Sequence, residues 1–197
     1  MGLRILIADD EAVIRMGLRA MLADLGHMVV GAARDGQQAV EMARDARPDL
    51  AILDIQMPRL DGLDAAAIIC HEQPIPIVLL TAYTDRPYID RAREGDILGY
   101  LTKPVKESDI APTLAMAQAR FNERIALLAE QDALRDAEQT RTLVDQAKAK
   151  LMRERGMTEP EAFKHIHYTS RRERRTMRQV AEEVLASDTA APSTPPT

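Results

Sequence analysis

The chain has 197 residues, enough for one domain of ordinary size (domains cluster near ~100–150 residues) and a smaller one beside it. With 46% hydrophobic and 29% charged residues it is patterned as a soluble globular protein, not a disordered or fibrous one, and no run approaches the ~20 apolar residues of a membrane helix. The net charge of −5 conceals a segregation: residues 1–120 carry 13 Lys/Arg against 18 Asp/Glu, and residues 148–178 carry 10 against 4, so an acidic front is followed by a basic rear. Cys70 is the single cysteine, which excludes an internal disulfide and points to a reducing compartment. It falls in an apolar helix pattern and reads as a small buried hydrophobe. The opening MGLRILIADDE lacks a longer apolar core with a cleavage site, so the expected location is cytoplasmic.

Short apolar runs alternate with amphipathic segments through the first half. LRILIA precedes a predicted helix from Glu11 to Leu25, HMVVGAA one from Asp35 to Arg47, and LAILDI one from Asp61 to Gln73. Continuous apolar strands such as Ile5-Leu6-Ile7 and Ile77-Val78-Leu79-Leu80 suit a parallel sheet covered on both faces. A helix pattern near Arg86 to Glu94, a short strand at Gly99-Tyr100-Leu101 and a helix from Lys106 complete five βα units. The expected fold is α/β, a doubly wound five-stranded parallel sheet.

From Asp109 onward the pattern is helix only, and one long helix is predicted, with Pro112 placed in its first turn, where a proline costs little. Leu114, Phe121 and Leu128 recur at heptad spacing with Ile125 beside them, but Arg135 and Thr142 take the same register next, which leaves a weak coiled-coil signal. Gly156 ends this helix. Thr158-Glu159-Pro160-Glu161 then offers an N-cap, an early proline and a capping-box glutamate for a second, and a third spans about Arg174 to Ala186 with Met177, Val180, Ala181, Val184 and Leu185 on one face. The tail SDTAAPSTPPT is polar and proline-rich and is expected to be disordered.

Ligands of open α/β sheets bind at the carboxyl ends of the strands. The residues just past those ends form a chemically consistent set: Asp9, Asp10 and Glu11 after the first strand, Asp54 after the third, Thr81 at the end of the fourth, and Lys103-Pro104 after the fifth. Taken singly, Asp10 or Asp61 reads as a helix cap, Thr81 as a strand residue and Lys103 as a solvated cation. Jointly, three carboxylates on adjacent strands would repel one another without a cation, and oxygen ligands with room for water suit Mg2+. Asp54 can then accept a phosphoryl group as nucleophile while Mg2+, the Lys103 ammonium and the Thr81 hydroxyl neutralise the developing charge.

The segments Asp9-Asp10, DIQMPRLDG from Asp54, LLTA ending near Thr81 and GYLTKP through Lys103 resemble, in order and spacing, the receiver domain of two-component response regulators over roughly residues 1–120. The resemblance implies a flavodoxin-like fold and phosphorylation of Asp54 by a sensor histidine kinase. It further implies Mg2+ held by Asp9, Asp10, Asp54 and the backbone carbonyl of Gln56, and phosphoryl contact from Lys103. It also implies a switch in which Thr81 moves toward the phosphate and Tyr100 turns inward, and a cis Lys103-Pro104 bond. Such a protein is not an enzyme acting on other molecules; a receiver promotes only its own phosphorylation and dephosphorylation.

The remaining chain divides into a helical connector with a small helical output domain over 121–187 and the tail over 188–197. Gln146-Ala147-Lys148, Leu151-Met152, Gly156 followed by Glu161-Ala162-Phe163, and Val180-Ala181-Glu182 resemble the ANTAR domain, a three-helix RNA-binding module of transcription antitermination regulators. Lys150, His165 and Arg171 depart from it, standing where the family is usually apolar. Lys148, Lys164, Arg171, Arg172, Arg174, Arg175 and Arg178 are the candidate phosphate contacts, and Tyr168, Phe163 or a histidine could stack on an unpaired base, although Phe163 reads more readily as core. His165 and His167 lie two apart and do not share a helical face as metal ligands would. The reading that follows is a phosphorylation-controlled antiterminator that binds RNA hairpins, forms a homodimer on phosphorylation and involves no membrane. A DNA-binding output and a protein-docking output are the alternatives, and no compact helix–turn–helix favours the first.

Overall fold

The computed structural model describes residues 2–82 and 97–187. The predicted helix near Arg86 to Glu94 and the tail over 188–197 lie outside the described residues. Strands β1 (Arg4–Ala8), β2 (Met28–Ala33), β3 (Leu50–Asp54), β4 (Ile77–Thr81) and β5 (Ile97–Thr102) alternate with helices α1 (Ala12–Asp24), α2 (Gly36–Ala46) and α3 (Gly62–Glu72). Three further helices follow: α4 (Glu107–Arg155), α5 (Glu159–Glu173) and α6 (Met177–Ala186). No described helix is long and apolar enough to cross a membrane.

The sheet is parallel throughout, in the order β2-β1-β3-β4-β5. Chain direction across it reverses between β1 and β3, so their carboxyl ends flank a crevice where the loops part to opposite sides. The apolar strands divide by the two-residue period of the pleat. Leu6, Ala8, Ala51, Leu53, Ile77 and Leu79 pack on one face with α2 and α3, around Ala39, Val40, Ala43, Ala65 and Ile69. Ile5, Ile7, Leu50, Ile52, Val78 and Leu80 pack on the other with Leu18 and Leu22 of α1 and Ile110, Leu114 and Ala117 of α4. Cys70 is buried on the first face, its thiol donating to the Ile75 carbonyl at 3.6 Å.

The chain divides into two compact units, Met1–Ala126 and Leu127–Thr197, and α4 contributes residues to each. One local expectation fails in α4. The helix begins at Glu107, two residues ahead of Asp109, which puts Pro112 in its sixth position, where the missing N–H forfeits a bond to the Ser108 carbonyl. Leu114, the first residue of the heptad series, is spent in the sheet core, whereas Ile125 and Leu128 are exposed. In the second unit, Val144, Ala147 and Leu151 of α4 at spacings of three and four meet Ala162 and Ile166 of α5 and Val180 and Ala181 of α6, with Met177, Val184 and Leu185 packed against them.

Gly156, at φ 65°, ends α4 in the left-handed conformation that glycine adopts without cost. The Glu161 carboxylate accepts from the Thr158 backbone N–H at 2.8 Å and from its hydroxyl at 2.7 Å, tying the start of α5. Helix α6 starts at Met177, not near Arg174, because Arg174 itself takes the left-handed conformation (φ 53°) that terminates α5, and Thr176 is the N-cap, accepting from the Gln179 N–H at 3.2 Å.

Candidate functional site

At the carboxyl edge of the sheet, Asp9, Asp10 and Asp54 each present a carboxylate oxygen within 4.8 Å of the others. Asp9 is fully buried and Asp54 is 5% exposed, while Asp10 is exposed. The backbone explains the convergence. The N–H of Asp9 donates to the Ala33 carbonyl at 3.2 Å, and the N–H of Ile55 to the Leu80 carbonyl at 3.2 Å, so each acidic position is anchored to the neighbouring strand. Asp9 Oδ1 accepts from the Glu11 N–H at 2.8 Å, and the Arg15 guanidinium donates to the carbonyls of Asp9 at 2.7 Å and Asp10 at 3.1 Å. Sequence reasoning missed Arg15; its position one turn into α1, behind the acidic pair, is the signal that could have found it. Gly62 was missed as well. A Cβ on it would stand 1.9 Å from the Asp54 carbonyl oxygen, so only glycine lets α3 begin this close to the acidic strand end. Asp61 is a helix cap, accepting from the Asp64 N–H at 2.8 Å.

Lys103 reaches into this cluster from the end of β5. Its Nζ lies 2.8 Å from Asp9 Oδ2 and 2.9 Å from Asp54 Oδ2. Its own N–H donates to the Thr81 carbonyl at 2.9 Å, which holds the ends of β4 and β5 together, and the Lys103-Pro104 peptide is cis. Thr81 is buried and its hydroxyl donates to the Ala82 carbonyl at 2.9 Å. Tyr100, on β5, has its side chain on the exposed face of the strand, and Gln56 is an exposed residue of the loop after β3.

The electrostatics of the cluster are unbalanced. Burial pushes the Asp54 carboxyl above the ordinary value, the hydrogen bond and charge of Lys103 pull it down only in part, and Asp9 and Asp10 add to the rise. Burial would lower the Lys103 ammonium, but its hydrogen bonds to Asp9 and Asp54 outweigh that and hold it above the usual lysine value. The geometry accounts for both directions: among the described residues three carboxylates share the Lys103 cation, so the lysine is held charged while Asp54 remains short of positive charge. Asp9 Oδ2 is buried, and among the described residues its partner is the Lys103 ammonium. Three convergent carboxylates that share one ammonium among the described residues are hard oxygen donors of the kind that fit a small divalent cation such as Mg2+.

In the second unit the candidate basic residues fall into two groups. Lys148 Nζ pairs with Asp145 and Glu159, both at 2.8 Å, and these bonds raise its pKa while lowering that of Asp145. Arg172 pairs with Glu173 at 2.7 Å, Arg175 with Glu173 at 3.2 Å and with Glu183, and Arg178 with Glu182 at 3.0 Å and with Asp136. Lys164, Arg171 and Arg174 make no ion pair among the described residues. Phe163 is not core, because the face of α5 turned inward is Ala162, Ile166 and Ser170; it is 47% exposed and stacks on His167. Lys150 resolves one departure from the family pattern: its ammonium donates to the carbonyls of Leu185 at 3.1 Å and Ser187 at 2.5 Å, closing the end of α6 from a position that would otherwise be apolar.

Comparison with known proteins agrees with both halves. Residues 5–115 match the response regulator receiver domain, and residues 132–185 match the ANTAR domain. The chain is 48% identical over 182 residues to transcriptional regulatory protein PdtaR of Mycobacterium tuberculosis, covering 92% of this chain and 89% of that protein. It is 35% identical over 103 residues to response regulator GacA of Pseudomonas aeruginosa, covering 51% of this chain and 48% of that one. Among solved structures, the signal receiver domain of a modulated diguanylate cyclase from Desulfovibrio desulfuricans is 32% identical with a TM-score of 0.59, covering 63% of this chain and 99% of its own. The REC domain of AraT, a response regulator from Geobacillus stearothermophilus, is 30% identical with a TM-score of 0.57, covering 63% and 98%. The chain therefore belongs to the response regulators, as a receiver domain joined to an ANTAR domain, the RNA-binding output of transcription antitermination.

Proposed function

We propose that Asp54 is the phosphoacceptor of this response regulator, that Asp9, Asp10, Asp54 and the backbone carbonyl of Gln56 hold Mg2+, and that a sensor histidine kinase supplies the phosphoryl group. The observation that carries this is the Lys103 ammonium set between the buried carboxylates of Asp9 and Asp54, with Asp10 close enough to complete a cation site. A carboxylate oxygen of Asp54 forms the new bond to phosphorus while the bond to the donor imidazole breaks. Lys103 neutralises charge on the phosphoryl oxygens from one side, and the Thr81 hydroxyl, at the end of the adjacent strand, turns to donate a hydrogen bond to them as Tyr100 moves inward behind it. A bound Mg2+ supplies the remaining positive charge during transfer. The receiver acts on nothing but its own phosphorylation state.

The division of labour we propose is a receiver over 1–120, a connector and RNA-binding module over 121–187, and a tail over 188–197. The module takes RNA hairpins, phosphorylation favours a homodimer, and a hairpin held by protein keeps an overlapping terminator stem from forming, which turns binding energy into a choice between two RNA folds. Asp54→Asn tests the first step. The variant should incorporate no stable label from acetyl phosphate in the presence of Mg2+, because an amide is a far poorer nucleophile than a carboxylate. Labelling equal to that of the unmodified protein removes Asp54 from the role.

A further inference from the structure

A metal ligand supplied by the backbone cannot be aimed by choosing a rotamer; its direction is fixed by the loop that carries it. Mg2+ demands near-ideal octahedral geometry, so a loosely held carbonyl is a poor ligand. The Gln56 carbonyl belongs to such a loop, the stretch 55–61 between β3 and α3. The base of the loop is closed by the Gly62 N–H, which donates to the Ile55 carbonyl at 2.9 Å, and within it the Leu60 N–H donates to the Pro58 carbonyl at 2.8 Å. Between these bonds Arg59 stands at φ 69°, in the left-handed region that a residue with a side chain enters only at a cost. Strain of this kind persists where the surroundings over-determine it.

What surrounds Arg59 is Asp35, the N-cap of α2, which is 1% exposed. Its two carboxylate oxygens have different tasks. Oδ1 accepts from the Gln38 N–H at 2.8 Å and starts the helix, while the Gln38 side chain accepts from the Arg34 N–H at 2.9 Å, so the anchor is itself fixed. Oδ2 meets the Arg59 guanidinium. Arg34 stands farther off, at 3.8 Å, with most of its side chain in water. A carboxylate buried this deeply requires a compensating charge, and the residue that brings it ties the β3–α3 loop to the first turn of another helix. The approach there is close. A Cβ on Gly36 would lie 2.3 Å from the Leu60 carbonyl oxygen, so the loop rests directly on the backbone of that turn. Helix capping by itself needs only Oδ1 and gives no reason for the strained course of Arg59.

We propose that Arg59 and Asp35 are positioning residues for the cation site: their ion pair holds the β3–α3 loop in the backbone course that turns the Gln56 carbonyl toward the carboxylates of Asp9, Asp10 and Asp54. This rests on the reading that those groups hold Mg2+. Both residues act through the loop backbone and not on the cation itself. The proposal has a sign that simple electrostatics does not share. On charge alone, deleting an arginine near the site should tighten the binding of a cation. Loss of a loop clamp should weaken it, because the carbonyl is then no longer held where the ion needs it.

Mg2+ is titrated into the full chain by calorimetry, and amide exchange in the β3–α3 loop is followed separately in EDTA. Arg59→Gly removes the guanidinium while glycine adopts the left-handed conformation without strain, so the local backbone remains accessible. It should weaken Mg2+ binding by about 10- to 100-fold and quicken exchange in the loop of the metal-free protein. Phosphorylation from acetyl phosphate should need more Mg2+ but recover its rate once the ion saturates. Arg59→Lys should regain most of the affinity. Asp35→Asn keeps a capping side chain and should reproduce the loss, and the double variant should bind no more weakly than either single one. Arg34→Gln should leave Mg2+ binding unweakened. Unchanged or tighter binding by Arg59→Gly, or an equal loss in Arg34→Gln, overturns the clamp and leaves the cation site standing. Failure of the unmodified protein to bind Mg2+ overturns the reading of the site itself.

Discussion

Replacing Lys103 by methionine keeps most of the side-chain volume and removes the cation that, among the described residues, lies between the carboxylates of Asp9 and Asp54. Asp9 is fully buried and Asp54 only 5% exposed, and Lys103 contacts them at 2.8 and 2.9 Å. Removing one partner of a buried pair typically costs ~3–5 kcal/mol because the other charge is left uncompensated. Protonation of Asp54 limits the loss, so about 3 kcal/mol is expected at pH 8 without divalent cations, a fall of roughly 10 °C in melting temperature for a unit of this size. The pH dependence has a definite sign. The folded-state carboxyl of Asp54 already lies above the ordinary value, and without Lys103 it rises further. A carboxyl whose folded pKa is raised contributes stability that is present below its unfolded value and lost as pH climbs through the folded one. The deficit of Lys103→Met relative to the unmodified protein should therefore grow between about pH 5 and pH 8, and added Mg2+ should narrow it by returning positive charge. Urea midpoints compared at each pH, with EDTA or with Mg2+, measure this. Equal midpoints at pH 8 in EDTA, or a deficit that shrinks as pH rises, would refute the account of an electrostatically short cluster.

Gly62→Ala should lower stability by about 1–3 kcal/mol and slow phosphorylation from acetyl phosphate, because the new methyl meets the Asp54 carbonyl at 1.9 Å and forces the acidic strand end to shift. Unchanged melting and labelling would show that α3 yields freely. Ile166→Ala removes a fully buried side chain from the small core of the second unit and should cost ~2–5 kcal/mol there, read as a separate early loss of helical circular dichroism. Lys150→Met should cost about 1 kcal/mol in the same unit by leaving the Leu185 and Ser187 carbonyls without their shared donor, and amide exchange near the end of α6 should quicken.

The strands and their parallel, doubly wound arrangement were legible because they follow from local pattern, whereas the order β2-β1-β3-β4-β5 came only from the structure. Runs such as Ile5-Leu6-Ile7 are apolar on both sides of the pleat, and only a sheet covered on both faces buries them all. The acidic cluster was legible for the same reason, since parallel strands deliver their following residues to one edge whatever the loops do. Gly156 and the Thr158–Glu161 cap set helix ends through contacts three residues apart, and these too could be read in the chain. What the sequence could not decide was set by partners far along it or by which face of a helix packs inward. Arg178 meets Asp136 and Lys148 meets Glu159, so the apparent strength of the basic run is partly neutralised by acids that no local window contains. Phe163 looked like core until Ala162 and Ile166 took the inward face of α5. Arg174 ended one helix when it was expected to begin the next, because its backbone turned left-handed. A charge at position 150 conflicted with the family pattern until the end of α6 arrived with two open carbonyls. Composition and period determine which segments must be buried and which strand ends meet; the pairing of charges and the choice of exposed face are settled only when the elements pack, because each depends on residues far apart along the chain.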